Sequence, residues 1–153
     1  MIRHATLRDL DGLVELERRC FATDLISRRS FRHLLTRANA GVLVAEEDGE
    51  LAGYALVVFN RGTALARLYS IAVDGAFRGR GLGRALLVAA EAEALARGCV
   101  SMRSEVRLDN HASLALFEGN GYRRIEELDD YYEDHMGAFR FERTLAPQLE
   151  LTQ

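Results

Sequence analysis

Between Ala72 and Leu87 the chain reads AVDGAFRGRGLGRALL, and its residue types suit the binding of an anion. Gly79, Gly81 and Gly83 can bring the backbone close to a ligand and adopt positive φ at little steric cost. The apolar spacing of Leu82, Leu86, Ala89 and Ala90 starts a helix at the end of this loop. Its unpaired N–H groups and positive dipole end then face whatever lies over the loop, an arrangement that favours phosphate. Arg78, Arg80 and Arg84 add charge-assisted donors. Two familiar phosphate loops do not fit. Arg84 and Ala85 follow Gly83, so the lysine and hydroxyl of a Gly-Lys-Ser/Thr loop are missing. Counting from Gly79 and Gly81, the third glycine place of a dinucleotide fingerprint holds Arg84.

The elements around the loop follow from periodicity. Ile2 to Ala5 reads as a short strand, and Thr6-Leu7-Arg8-Asp9 as a capping box. Leu7, Leu10, Leu13, Val14, Glu17 and Cys20 mark an amphipathic helix, and a second is expected from about Ser27 to Ala38. Val42 to Glu47 and Leu51 to Phe59 form a hairpin around Asp48-Gly49, whose residues tolerate the positive φ of a tight turn. Leu65 to Val73 leads as a strand into the glycine loop. The helix after it ends near Arg97, with Gly98 at C′. Cys99 to Val106 is a strand, joined to the previous one by a right-handed parallel crossover. A short helix, Asn110 to Glu118, and strands Tyr122 to Leu128 and Ala138 to Leu145 complete the pattern. Residues from Ala146, including Pro147, are expected to be a flexible tail.

At 153 residues and 48% apolar content, the chain has enough material for one globular domain, expected over residues 1–145. A net charge of −3 gives no overall electrostatic case for nucleic acid. No signal peptide and no apolar run near the ~18 residues of a membrane helix stand out, so no membrane role and a cytoplasmic location are expected. Cys20 and Cys99 are read as small buried hydrophobes. His4, His33, His111 and His135 lack metal-ligand spacing, and no metal site is expected. All 20 basic side chains counted as lysine or arginine are arginine, which removes any lysine of the chain itself as an acetylation target.

The loop Arg78-Gly79-Arg80-Gly81-Leu82-Gly83, between a strand and a helix, resembles the Arg/Gln-x-x-Gly-x-Gly/Ala signature of the GNAT N-acetyltransferase superfamily. The order of elements is similar from Ile2 to about Arg143. Ser104-Glu105-Val106-Arg107-Leu108-Asp109-Asn110 through Phe117-Glu118, then Gly121-Tyr122, resembles the second hallmark block, closest to the branch that acetylates the N-terminal alanine of ribosomal proteins. The Tyr131-Tyr132 loop belongs to the same likeness. Cys20-Phe21 through Leu34-Leu35 is also similar to acetyltransferase domains fused ahead of cysteine peptidases.

The resemblance implies an α/β (α+β) GNAT fold: a mixed, mostly antiparallel sheet of six to seven strands, flanked by about four helices, with splayed central parallel strands. It implies acetyl-CoA as cofactor, with Ile71, Ala72 and Val73 along the pantetheine arm, Val73 N–H on the thioester oxygen, and Arg78 to Arg84 on the pyrophosphate. Leu82, Asn110 and Phe117 are expected at the cofactor as well. Glu105 is expected as general base; on residues alone it could instead pair with Arg103 or Arg107 on its own strand face. The branch carries a tyrosine as general acid where this chain has Phe117, which has no proton to give. Tyr132 or Tyr131 could replace it, or serve only in packing at the substrate loop. A thiol with a pKa near 8.5 can also leave without such help.

Six carboxylates, Glu126, Glu127, Asp129, Asp130, Glu133 and Asp134, could steer a cationic acceptor or simply be solvated. A terminal α-amine is ~2.5 pKa units closer to neutrality than lysine, roughly 3–4 kcal/mol, which favours a peptide or protein N-terminus as acceptor. The alternatives are a small amine, a lysine side chain, or a non-catalytic acyl-CoA-binding domain. Monomer and homodimer are both compatible with the sequence.

Overall fold

A computed structural model describes residues 1–37 and 39–145. The expected tail from Ala146 and the expected last residue of the second helix, Ala38, lie outside the described residues. In chain order the elements are β1 (Ile2–His4), α1 (Leu10–Cys20), α2 (Arg28–Thr36), β2 (Ala40–Glu47), β3 (Glu50–Phe59), β4 (Leu65–Val73), α3 (Leu82–Ala96), β5 (Ser101–Arg107), α4 (His111–Gly119), β6 (Arg123–Leu128) and β7 (Ala138–Thr144). They build a seven-stranded sheet in the order β1-β2-β3-β4-β5-β7-β6. Among the described residues only β4 and β5 pair in parallel; the other neighbours are antiparallel.

Local chemistry explains most boundaries. The first helix does not run straight from Leu7: a 3-10 turn over Leu7–Asp9 precedes α1. The Thr6 hydroxyl accepts a hydrogen bond from Arg8 N–H, while Asp9 Oδ2 accepts from Thr6 N–H at 2.8 Å. Asp9 is also held by both Nη atoms of Arg3 at 2.9 Å. These bonds from Arg3 hold its carboxyl below the ordinary aspartate range. Its contribution to stability is therefore intact above the unfolded value near 4 and fades as pH falls through the lower folded value. Asp9→Asn should cost about 1 kcal/mol in urea unfolding at pH 7, with the difference from the parent shrinking in acid. The β2–β3 turn has Asp48 at φ 53° and Gly49 at φ 79°, as a two-residue hairpin loop requires. Gly98 closes α3 at φ 87°, with Cys99 N–H donating to Ala94 O and Gly98 N–H to Leu95 O.

The sheet divides two cores. On one face, Leu10, Leu13 and Leu16 of α1 and Phe31 of α2 pack on Val42, Val44, Tyr54, Leu56 and Ala72. On the other, Leu86, Leu87, Ala90 and Ala94 of α3 join Ala55, Val57, Ala66, Leu68, Met102 and Phe117. Each fully buried leucine contributes about 1.5–3 kcal/mol relative to exposure, so both helical layers are firmly docked.

A local irregularity lies in β4. Leu56 pairs with Ser70 and Val57 with Leu68, so Tyr69 is an extra, unpaired residue. Before it, Ala66 and Leu68 face α3; after it, Ile71 and Val73 do so, while Ser70 and Ala72 face the α1 side.

Candidate functional site

The parallel strands pair only from Leu65/Ser101 to Arg67/Arg103. At the point of divergence Ser104 Oγ donates to Leu68 O at 2.8 Å and is itself 4% exposed. Beyond it β4 has one edge unpaired. Asp74 N–H donates to Ala52 O, and alternation places the polar groups of Ala72 toward Tyr54 of β3 and those of Ile71 and Val73 toward the opening. The expectation for Ala72 is thus corrected at the backbone: its amide is committed within the sheet. Cys20 Sγ lies 3.8 Å from Val73 O as its donor.

The glycine loop follows. Gly79 and Gly81 have φ of 81° and 76°, and a Cβ on either would meet nothing within 4 Å. They are there for conformation. Gly83 does not share that conformation; a Cβ there would meet Leu116 at 3.6 Å and Val73 at 3.9 Å, ordinary contacts. Gly81 is the N-cap of α3 and supplies no side-chain cap, so the first-turn amides keep their donors for a ligand. A cavity of about 420 Å³ lies over these amides, lined by Ile71, Val73, Arg78, Gly79, Gly83 and Arg84 among others. Arg80 turns the other way. Its guanidinium sits 5.0 Å from the Phe77 ring centroid and 3.6–3.7 Å from the Asp48 and Glu47 carboxylates. Arg84 Nε donates to Asn120 Oδ1 at 3.2 Å. Leu82 is buried in the α3 core, leaving its backbone for any ligand.

A second cavity, of about 330 Å³, lies beside the first and shares Phe21, Ile71, Asn110 and Ser113 with it as lining residues. It contains Glu105, whose side chain is 5% exposed. Glu105 Oε1 accepts from Arg67 Nε at 2.9 Å and Nη2 at 2.7 Å, and Oε2 from Arg140 Nε at 2.8 Å. Neither Arg103 nor Arg107 is its partner. Arg103 bonds Glu142, and Arg107 bonds Asp109 and Asp134. Register explains the exchange: Glu105 lies opposite Arg140 and Arg103 opposite Glu142. Directly opposed side chains start about 5 Å apart, closer than i, i+2 neighbours on one strand at about 6.6 Å. Two guanidiniums hold the buried carboxylate at the cavity wall, and Oε2, with one arginine donor, retains lone-pair capacity for another donor.

Tyr131 Oη accepts from Arg67 Nη2 at 2.8 Å. The Tyr132 ring meets Tyr131 edge-on at 5.0 Å and lies under Arg107, with its hydroxyl 3.5 Å from Glu105 O. Burial pushes both phenols above the ordinary range. Each keeps its proton at neutral pH and is a weaker acid than free tyrosine. Asn110 caps α4, its Oδ1 accepting from Ser113 N–H at 3.1 Å. Phe117 is core: it is 1% exposed, stacked 5.7 Å from Phe141 and edge-on to Tyr122 at 5.0 Å. The acidic segment is partly neutralised, since Glu126 pairs with Arg140 and Asp134 with Arg107, while Asp130 Oδ1 lies 2.6 Å from His135 Nδ1.

Parted parallel strands, a free strand edge and an uncapped glycine helix start define the class: an α/β protein with a cleft that opens between two strands at a helix N-terminus. The Acetyltransferase (GNAT) family model matches residues 10–122, and the chain belongs to that family. A Bacillus subtilis (strain 168) protein provisionally named ribosomal protein bS18-alanine N-acetyltransferase is 28% identical over 134 residues, 88% of this chain and 87% of that one. The crystal structure of the Escherichia coli ribosomal-protein-S18-alanine N-acetyltransferase superposes with a TM-score of 0.85 at 27% identity, over 96% and 94% of the two chains. That of the Brucella melitensis ribosomal-protein-alanine N-acetyltransferase gives 0.81 at 25% identity, over 94% and 99%.

Proposed function

We propose that the protein is an acetyl-CoA-dependent N-acetyltransferase whose acceptor is the α-amine of a peptide or protein N-terminus. The observation carrying this reading is the adjacency of the two cavities, which share Phe21, Ile71, Asn110 and Ser113 as lining residues. It sets a carrier bound along β4 beside an amine at Glu105. Acetyl-CoA supplies the acetyl group as an activated thioester. The amides from Gly79 to Arg84, with Arg78 and Arg84, hold the pyrophosphate; Ile71 and Val73 offer backbone groups to the carrier's amides. Val73 N–H is a preorganised donor for charge developing on the carbonyl oxygen. Asn110 adds a polar residue that lines both cavities. Arg80, bound at the hairpin, would need to swing to take part.

On the acceptor side Glu105 receives the ammonium hydrogen bond and then its proton. Arg67 and Arg140 aim it. Tyr131 and Tyr132 frame the entering chain as hydrogen-bonding phenols. Tyr132 is poorly matched as proton donor to a leaving thiolate, because its burial-raised pKa makes that transfer uphill. The relatives named for ribosomal-protein alanine acetylation support a protein N-terminus as acceptor, and cytoplasmic ribosomal proteins fit a cytoplasmic location. Thiol release from acetyl-CoA should therefore rise with free-N-terminus peptides beginning in alanine. It should stay at the background rate with the same peptides blocked at the N-terminus. Equal release with lysine side chains or small amines would overturn the assigned acceptor. Tight acetyl-CoA uptake with no release for any amine would assign a binding role instead.

A further inference from the structure

Glu17 is 3% exposed, lies in the wall of the cavity that holds Glu105, and has no part in the roles assigned so far. Its Oε1 accepts from Tyr54 Oη at 2.6 Å and its Oε2 from Ile26 N–H at 2.8 Å. Tyr54 is fully buried, and its Oη is also 2.7 Å from Ser70 Oγ. A phenol has one hydrogen and an ionised carboxylate only accepts, so Tyr54 spends its hydrogen on Glu17. The hydrogen in the second contact must therefore come from Ser70. This ordering leaves Ser70 Oγ with lone pairs to offer and no hydrogen to give. Ser70 lines the same cavity, next in sequence to Ile71, which lines both cavities.

We propose that Ser70, Tyr54 and Glu17 form a proton path that drains the acceptor nitrogen during acetyl transfer, with Ser70 Oγ touching the amine and Glu17 receiving the proton. The proposal rests on the amine-acetylating reading above. Turning an ammonium into an amide removes two protons from nitrogen while the C–N bond forms and the C–S bond breaks with its electron pair left on sulfur. Glu105 takes one. The other passes to Ser70 Oγ as the Ser70 hydrogen moves to Tyr54 Oη and the Tyr54 hydrogen to Glu17 Oε1. Each hydroxyl gains one proton and loses one. The thiolate is protonated by solvent, both carboxyl groups later return their protons to solvent, and one net proton is released.

The surroundings suit Glu17 to this task. It faces Tyr54 from β3, Cys20 from its own helix and the Ile26 amide, with Ser70 of β4 beyond Tyr54; Asp24, Arg67, Glu105 and Arg107 line the cavity it borders. Among the described residues no salt bridge reaches it, whereas Glu105 has two. Burial pushes the Glu17 carboxyl above the ordinary glutamate range, partly opposed by the bonds from Ile26 and Tyr54. A carboxylate moved toward neutrality is the better proton acceptor there. The path works with Glu17 ionised, so its contribution is present above the raised pKa and lost as pH falls through it.

The test is steady-state thiol release with a free-N-terminus peptide, comparing wild type with Ser70→Ala, Ser70→Thr and Glu17→Gln. Ser70→Ala and Glu17→Gln should each lower kcat at least about 10-fold, short of the 10²–10⁴-fold of a sole general base because solvent can accept the second proton. KM for acetyl-CoA and the thermal midpoint should stay near wild type. Ser70→Thr, which keeps the hydroxyl, should restore most turnover, and Glu17→Gln should make the acid limb of the kcat profile shallower. A structural anchor would move the midpoint or KM and leave the pH profile alone. Wild-type activity with kcat within about twofold in both Ser70→Ala and Glu17→Gln, or Ser70→Thr as slow as Ser70→Ala, overturns the path alone. Wild type with no acceptor-dependent release overturns the amine-acetylating reading and the path with it.

Discussion

Glu105→Gln is expected to lower turnover about 10²–10⁴-fold at neutral pH, the range for loss of a general base. Glutamine is nearly isosteric and can still accept from one arginine through its single carbonyl oxygen. Its amide group then faces the other guanidinium, donor against donor, at 2.7–2.9 Å in the parent contacts. Some folding stability is lost too, because two partly exposed arginines lose a buried counter-charge. The kinetic and structural effects separate in one set of measurements. Calorimetric affinity for acetyl-CoA should hardly change, since none of the loop residues from Gly79 to Arg84 lines the Glu105 cavity, while kcat collapses well below the thermal midpoint. Undiminished kcat in a folded variant would show that the proton leaves by another route.

Gly81→Val should abolish most acetyl-CoA affinity, by about 100-fold or more, with a smaller loss of stability. At φ 76° a β-branched residue costs at least 1–2 kcal/mol, and relieving that strain rotates the peptide units that begin α3. Those units carry the amides assigned to the pyrophosphate, so a local shift removes several charge-assisted bonds together. Gly83→Ala is the informative companion. Its Cβ meets only ordinary contacts in the protein, so the fold should persist, and any lost affinity reports how near the carrier approaches that position. Calorimetry on both variants checks this; wild-type affinity in Gly81→Val would remove the loop from the binding site.

What could be read in the sequence was what depends on neighbouring residues. The Asp48-Gly49 turn, the Thr6–Asp9 box and the glycine helix start are set within a few positions, and each formed where its residue types predicted. The partners of Glu105 are not legible in the sequence, which offers Arg103 and Arg107 as its neighbours, because Arg67 and Arg140 lie 38 and 35 positions away. Only strand register brings them together. Its place in the loop makes Arg80 one of three candidate phosphate contacts, whereas in the structure an acidic hairpin tip and an aromatic face hold its guanidinium. For Glu17 a signal existed: a carboxylate in the apolar stripe of α1, spaced with Leu10 and Leu13, must find a buried partner. The sequence could not name Tyr54 as that partner, or Ser70 beyond it, because both sit on strands that fold back from the far side of α2.

The unpaired Tyr69 has a wider consequence. In an extended chain one inserted residue inverts the phase of everything beyond it, so even-numbered residues of β4 face α3 before the bulge and α1 after it. Without that inversion the Ser70 hydroxyl would be buried under α3, away from Tyr54, and the branched side chain of Ile71 would be driven against α1. The bulge thus decides, as much as residue type does, which lining each side chain joins: pairing Tyr69 in regular alternation would exchange the oily and the reactive linings of the cleft without altering any letter of the sequence.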